Sequence, residues 1–292
     1  MLSMRFAGPD DRAPHPPDAG SPDLHTWLDR RGGVVAEGFR HSGSYWMAWR
    51  SLATFRFCTD DPCITAYAVP GVPVGIIRDT YRRSVLPLAL QALGWEALHA
   101  SAIVCREGIV AFPAVSETGK STVAFGLRRR GFPQWSDDGV VFKMEGDGAV
   151  ALPLAFSVRL RPGSSKLFTK NSRLALRLAD REPGEQAHRV PQPVVKVCLL
   201  TRMEEGAAPG RPQLTAIPRA RAFRELLAHA HVLDPTDDAR RALMMRAYLE
   251  LAARVPVWQV TFAPRRNQFD LMLDTIVEGL ALEPPALRAV GR

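Results

Sequence analysis

Residues 114–122 read AVSETGKST and close on Gly119, Lys120 and Ser121. These are the residue types that a phosphate-binding loop needs at its end. Such a loop turns successive backbone N–H groups toward phosphate oxygens, with a helix dipole behind them. Its lysine reaches the β- and γ-phosphates, and the hydroxyl that follows holds Mg²⁺. Ser116, Glu117, Thr118, Gly119, Lys120, Ser121 and Thr122 are therefore candidate nucleotide contacts. Two positions depart from the usual pattern. Ala114 stands where a glycine normally lets the chain turn off a strand, and alanine fits there only while φ stays negative. Glu117 brings a carboxylate near the phosphates, which it repels unless it points away or meets a metal.

Two further features add to the signal of the loop. Asp137 and Asp138 follow a strand-like run, PQWSDD. Neighbours on a strand face opposite sides, so one of the two is expected to face the phosphates unless the strand ends there. A carboxylate beside a γ-phosphate accepts a proton from an attacking hydroxyl or binds Mg²⁺. Read alone, the pair equally suits a solvated strand end or a helix N-cap. His99 lies in LHASAIV, on the strand before the loop; read alone, it suits a core histidine.

The elements that must position these residues follow from the apolar patterning. EALHASAIV and IVAFPAV read as strands, and STVAFGLRRRGF after the loop reads as a helix. Arg128, Arg129 and Arg130 suit the negative end of its dipole, and Gly131 suits a left-handed stop. A strand, loop, helix and strand in this order put a phosphate site at a helix N-terminus. Upstream, GVVAEGF, SYWMAW, ATFRFC and ITAYAV read as short strands. The run at 77–93 reads as a helix in which Pro87 forces a kink or a new start, with Gly94 as its stop. Downstream come a buried strand, PVVKVCLLTRM, two helices near 218–231 and 236–253, a late strand, VPVWQVTFA, and a last amphipathic helix. The expected layout is an unstructured arm at 1–22 and a β-rich region with a helix at 23–95. An α/β domain at 96–282 and a tail at 283–292 complete it.

Composition narrows the function classes. The 292 residues carry 46% hydrophobic and 23% charged side chains, as soluble globular chains do. No apolar run is long enough to span a bilayer, and the first residues lack an apolar signal core, so a cytoplasmic location is expected. The formal charge is +8, and of 38 basic residues only five are lysine. Arginine is scattered rather than blocked, without zinc-finger spacing or a basic region, so no nucleic-acid partner is expected. Cys58 and Cys63 have no second cysteine pair to complete a zinc site, and Cys105 and Cys198 read as reduced core residues.

Taken together, LHASA, GKST, RRGF and SDD resemble the HPr kinase/phosphorylase family, in its C-terminal kinase domain. His99 precedes Ala114 by 15 residues and Asp137 follows Lys120 by 17, as in that family. The likeness covers about residues 97–142, with a weaker extension through PLAFSVRLRP. It implies an α/β P-loop kinase fold of the phosphoenolpyruvate carboxykinase-like kind, with a mixed sheet and flanking helices. It also implies ATP, Mg²⁺ and phosphorylation of a serine hydroxyl. Carried over, Lys120 and the loop hold the phosphates, Ser121 and Asp138 hold the metal, Asp137 is the general base, and His99 packs beside Asp137 and tunes it. The family's second signature, a Glu-Arg-Gly-Leu-Gly-like segment that supplies a further metal ligand and phosphorylase activity, is not found, so the resemblance does not carry HPr over as the acceptor and leaves phosphorolysis open. The chain looks more like stand-alone relatives that modify peptides, so the acceptor is expected to be a peptide or small-molecule hydroxyl. Family members often assemble, so a homo-oligomer is also an expectation. Arg159 and Arg161 could face phosphate from one side of a strand, or solvent. The rival reading is a non-catalytic nucleotide- or peptide-binding module, favoured by Ala114 and Glu117.

Overall fold

The structure is a computed structural model. It describes the chain except residues 1, 9, 19–20, 22–23, 30, 159, 161–163, 165–166, 169–181, 184–189, 204–209 and 286–292. Arg159, Arg161 and most of the surface excursion expected at 171–193 therefore lie outside the described residues. The chain divides into two compact units, residues 1–97 with 231–245, and residues 98–230 with 246–292. The α/β domain expected at 96–282 thus gives up residues 231–245 to the first unit.

The first unit is built on a six-stranded sheet. Its strands are β1 (Ser3–Phe6), β2 (Leu24–Leu28), β3 (Val34–His41), β4 (Ser44–Trp49), β5 (Ala53–Phe57) and β6 (Cys63–Ala68), in the order β1-β6-β5-β4-β3-β2. β2 to β6 form an antiparallel meander. β1 joins it in parallel, with Ser3 opposite Cys63. Residues 3–6, expected within an unstructured arm, are thus a strand: MRF has the alternating, bulky character that an exposed sheet edge accepts. Alternation along β5 buries Ala53, Phe55 and Phe57 and leaves Arg56 exposed. Each large apolar side chain buried this way contributes roughly 1.5–3 kcal/mol.

Two helices follow, α1 (Val74–Thr80) and α2 (Leu86–Ala92), with a π-helical turn at Tyr81–Val85 between them. Pro87, in the first turn of α2, has no N–H to donate and its ring crowds the preceding turn. The wider π turn absorbs that fault, so Pro87 acts as a new start rather than a break. Gly94 takes φ +81 just after the last turn. Residues 231–245 belong here because buried polar groups tie them in. Gln91 donates to the His231 carbonyl at 2.7 Å and accepts from Leu233 N–H at 2.9 Å. Arg240 meets the buried Glu96 carboxylate at 2.7 Å.

The second unit carries the other sheet. After β7 (Glu96–Leu98) come β8 (Ala100–Cys105), β9 (Gly108–Pro113) and helix α3 (Lys120–Arg128). Next are β10 (Gln134–Ser136), β11 (Val140–Glu145), β12 (Gly148–Ala151) and the short pair β13 (Ser157–Val158) and β14 (Glu182–Pro183). The last strands are β15 (Gln192–Arg202), β16 (Gln213–Ala216) and β17 (Val257–Phe262). β15 runs parallel to both β9 and β17, whereas β10–β8, β8–β9, β11–β12, β12–β15 and β16–β17 are antiparallel. The chain is therefore a mixed α/β protein with a mixed sheet. The buried strand expected at PVVKVCLLTRM is its central member.

α3 and the last helix, Phe269–Gly279, pack on one face of this sheet. Ile103, Val110, Phe112, Val123, Leu127, Cys198, Val260, Met272 and Ile276 fill the space between. Gly126 sets the spacing, because a Cβ there would lie 2.7 Å from Leu273 and 2.9 Å from Phe269. α3 ends as expected, with Gly131 at φ +93. Arg130 leaves the helix end to pair with Asp274 at 2.6 Å. No helix among the described residues is long and apolar enough to cross a membrane.

Candidate active site

The sequence puts the candidate residues at one end of three adjacent strands. In β8, residues at every second position share a face. Ile103 and Cys105 on that face enter the core under α3, and Ser101 continues the row toward His99. In the neighbouring β9, Val110 and Phe112 share that face, and Ala114 follows just past the strand end. Ser101 lies opposite Phe112 and Ala100 opposite Pro113, so the antiparallel register carries His99 to the level of Ala114. On the other side β10 ends at Ser136, so Asp137 and Asp138 occupy a turn and strand alternation no longer separates them.

The loop between β9 and α3 has a definite backbone form. Ala114 is 1% exposed, belongs to the core cluster and is not among the positive-φ residues. The negative φ that alanine requires is met, and its methyl is used for packing. The left-handed positions are Glu117, at φ 71, and Gly119, at φ 118, with Thr118 between them at negative φ. Gly119 adopts its conformation freely, whereas Glu117 is held there at a cost of roughly 1–3 kcal/mol. Alternating handedness turns successive N–H groups toward one side and makes a concavity suited to an anion. Gly119 is the N-cap of α3 and has no side chain with which to cap the helix. The first N–H groups of the helix point out of its N-terminus, where an anion is favoured.

Lys120 is the first residue of α3 and is 6% exposed. A lysine so deep needs acceptors. Its ammonium donates to the Ala114 carbonyl at 2.9 Å, across the mouth of the loop, and meets His99 Nε2 at 3.0 Å. His99 Nδ1 lies 3.1 Å from the Asp138 carbonyl. Asp138 takes φ 67, a conformation aspartate tolerates better than most residues, and this accompanies its carbonyl reaching the imidazole. Asp137 is 6% exposed, and its carboxylate accepts a hydrogen bond from the Ser101 hydroxyl at 2.7 Å. Lys120, His99, Asp137 and Asp138 are thereby linked through one end of the sheet. Ser121 is half-buried on the first turn of α3, Thr122 is buried, and Ser116 and Glu117 are exposed.

Three residues outside the sequence-derived set belong to this neighbourhood. Ser101 was signalled by its place two residues from His99 on one strand face. His229 had no local signal. Its carbonyl accepts the His99 N–H at 2.7 Å, and burial, with the positive charge of Lys120, holds its imidazole below the usual range while Glu225 opposes the shift. Arg202, at the end of β15, donates to the Glu117 carbonyl at 2.6 Å and to the Thr118 carbonyl at 3.2 Å. By contrast, burial pushes the Cys198 thiol up to about 12, which removes it as a nucleophile.

No cluster of three or more His, Cys, Asp or Glu side chains suited to a metal occurs among the described residues. Mg²⁺ arriving with a triphosphate asks for less, one or two hard oxygen ligands beside the phosphates. The Ser121 hydroxyl and an Asp138 carboxylate are donors of that kind.

No family model and no curated protein matches the chain. Among solved structures, the chain is similar to the Hpr(Ser) kinase/phosphatase from Coxiella burnetii. The identity is 16% over 63% of this chain and 90% of that one, with a TM-score of 0.34. So remote a likeness leaves the site to be read from its own geometry.

Proposed function

We propose that the chain is an ATP- and Mg²⁺-dependent kinase that transfers phosphate to a serine hydroxyl of a peptide or small molecule. The observation that carries this reading is the joining of two features. A left-handed loop is closed by a buried lysine at a helix N-terminus, and a buried carboxylate, Asp137, stands just past the end of β10, on the far side of β8 from the loop's strand. A phosphate loop alone fits any nucleotide binder; a carboxylate beside it gives an acceptor hydroxyl somewhere to leave its proton.

In this reading the backbone N–H groups of the loop and the first turn of α3, Thr118 apart, and the Lys120 ammonium hold the β- and γ-phosphates. Lys120 exchanges the Ala114 carbonyl for phosphate oxygens. Ser121 and Asp138 would hold Mg²⁺, which would supply positive charge beside the transferring phosphoryl group. Asp137 accepts the proton of the acceptor hydroxyl, and Ser101 fixes the orientation of its carboxylate. His99 orients Lys120. Catalysis is mostly positioning and charge neutralisation, which are the main requirements of phosphoryl transfer. A cytoplasmic location, a fold of the P-loop kinase kind and assembly into oligomers belong to the same proposal.

A second reading has one observation in its favour. Glu117 carries an exposed carboxylate on the loop itself, and a fixed negative charge there repels a triphosphate. Incubation with γ-labelled ATP, Mg²⁺ and a panel of serine peptides and small alcohols separates the two. Transfer by the wild type that disappears in Lys120→Ala supports the kinase. Tight ATP binding without transfer to any acceptor supports the binding module.

A further inference from the structure

Glu117 and Thr118 present two consecutive carbonyls to one guanidinium. Arg202 spans them, with Nη2 2.6 Å from the Glu117 oxygen and Nε 3.2 Å from the Thr118 oxygen. In a trans peptide the carbonyl and the N–H of the next residue point to opposite sides. A guanidinium that holds the Thr118 carbonyl on one side therefore aims the Gly119 N–H to the other. The Thr118 N–H, partner of the Glu117 carbonyl, is used inside the loop, donating to the Val115 carbonyl at 3.2 Å. Arg202 itself is anchored, because it is the last residue of β15, paired with Phe262 of β17. It reaches the loop from the parallel strand beside β9. The residue it steadies is the one whose left-handed backbone is costly without glycine.

We propose that Arg202 is a positioning residue of the phosphate site. It holds Glu117 in its left-handed conformation and fixes the peptide planes that turn the loop N–H groups toward phosphate. The planar fork of arginine suits this task, since two parallel donors meet two neighbouring oxygens, whereas a lysine offers a point charge. Glu117 and Arg202 act together: the arginine replaces the freedom that a glycine at 117 would give. This inference rests on the nucleotide reading of the loop and adds a part to it.

Titration of the full chain with Mg·ATP and with inorganic pyrophosphate tests it. Arg202→Ala is expected to weaken both ligands about tenfold, with a melting temperature within about 2 °C of wild type. Arg202→Lys is expected to lose about threefold, and it carries the test if the alanine variant fails to fold. In a Glu117→Gly background the effect of Arg202→Ala is expected to shrink to about threefold or less, because glycine enters the left-handed region unaided. Unchanged affinity in both Arg202 variants, or a full tenfold loss persisting in the glycine background, overturns the role of Arg202. Failure of the wild type to bind either ligand overturns the nucleotide reading of the loop, and this inference with it.

Discussion

The Lys120 ammonium lies 3.0 Å from His99 Nε2. An ammonium has only donors to offer, so Nε2 is the acceptor in this contact. The other ring nitrogen, 3.1 Å from the Asp138 carbonyl, then carries the proton. With Lys120 as an ammonium, these are the contacts of an imidazole protonated on Nδ1, bridging the loop lysine to the Asp137–Asp138 turn. Replacing His99 by alanine frees one side of Lys120. It is expected to lower kcat about tenfold or more while ATP still binds, because an orienting contact is lost and the phosphate cradle remains. Steady-state kinetics with separate ATP titration checks this; unchanged kcat would contradict it.

Lys120 itself is expected to matter more. Lys120→Ala should lower transfer by about 10²–10³-fold, the scale of removing one preorganised donor from a phosphoryl site. Calorimetric titration should also show weaker ATP binding. Transfer at the wild-type rate would remove the lysine from the site.

Ala114 is expected to be a packing residue rather than a defect of the loop. Its methyl is buried in the core cluster and its φ is negative. Ala114→Gly should cost about 1–2 kcal/mol of stability through lost burial and a looser unfolded chain. ATP affinity should stay within about twofold, since no N–H donor changes. Denaturant unfolding and ATP titration of the same variant check both halves.

Acid is expected to destabilise the fold through buried imidazoles. His229 and His25 are both held below the ordinary value of 6.5, chiefly by burial. As pH falls below 6.5 the unfolded chain takes up protons that these folded imidazoles refuse, so the unfolded state gains. Their contribution is intact above that pH and is lost progressively beneath it. Melting temperatures between about pH 7.5 and 5.5 should therefore fall with pH, and His229→Asn should flatten the slope. An unaltered slope in that variant would contradict the assignment.

The close approach of α3 to the last helix predicts a sharp steric limit at Gly126. A side chain there would meet Leu273 and Phe269. Gly126→Val is expected to cost about 1–3 kcal/mol, or to misplace α3 and with it Lys120. Denaturant unfolding measures the first effect and ATP titration the second.

Much of this arrangement was legible in the residues, for identifiable reasons. β8, β9 and α3 carry strong periodicity, and the loop is bounded by a strand and a glycine that also caps the helix. The π turn was foreshadowed by Pro87, although its form was not, because a proline announces a fault without saying how the helix absorbs it. Residues 3–6 were hidden by the Pro-, Asp- and Gly-rich stretch around them, and their strand exists only through pairing with β6. Ser101 could have been read from its two-residue spacing to His99. Arg202 and His229 could not, since they come from 103 and 130 residues beyond His99 and only the sheet and the helix Arg219–Leu227 bring them in. The assignment of residues 231–245 to the first unit depends on buried polar contacts made by Gln91 and Glu96, for which short-range patterning carries no signal.

The central claim is that Asp137 is the proton acceptor in phosphoryl transfer. Asp137→Asn keeps the shape of the side chain and a hydrogen-bond partner for Ser101, but removes the base. ATP binding by calorimetry and transfer from γ-labelled ATP to a serine acceptor, measured on the same protein, test the claim directly. The account predicts ATP affinity within about threefold of wild type and transfer reduced about 10²–10⁴-fold. Transfer at the wild-type rate, or ATP binding lost together with transfer, would contradict it.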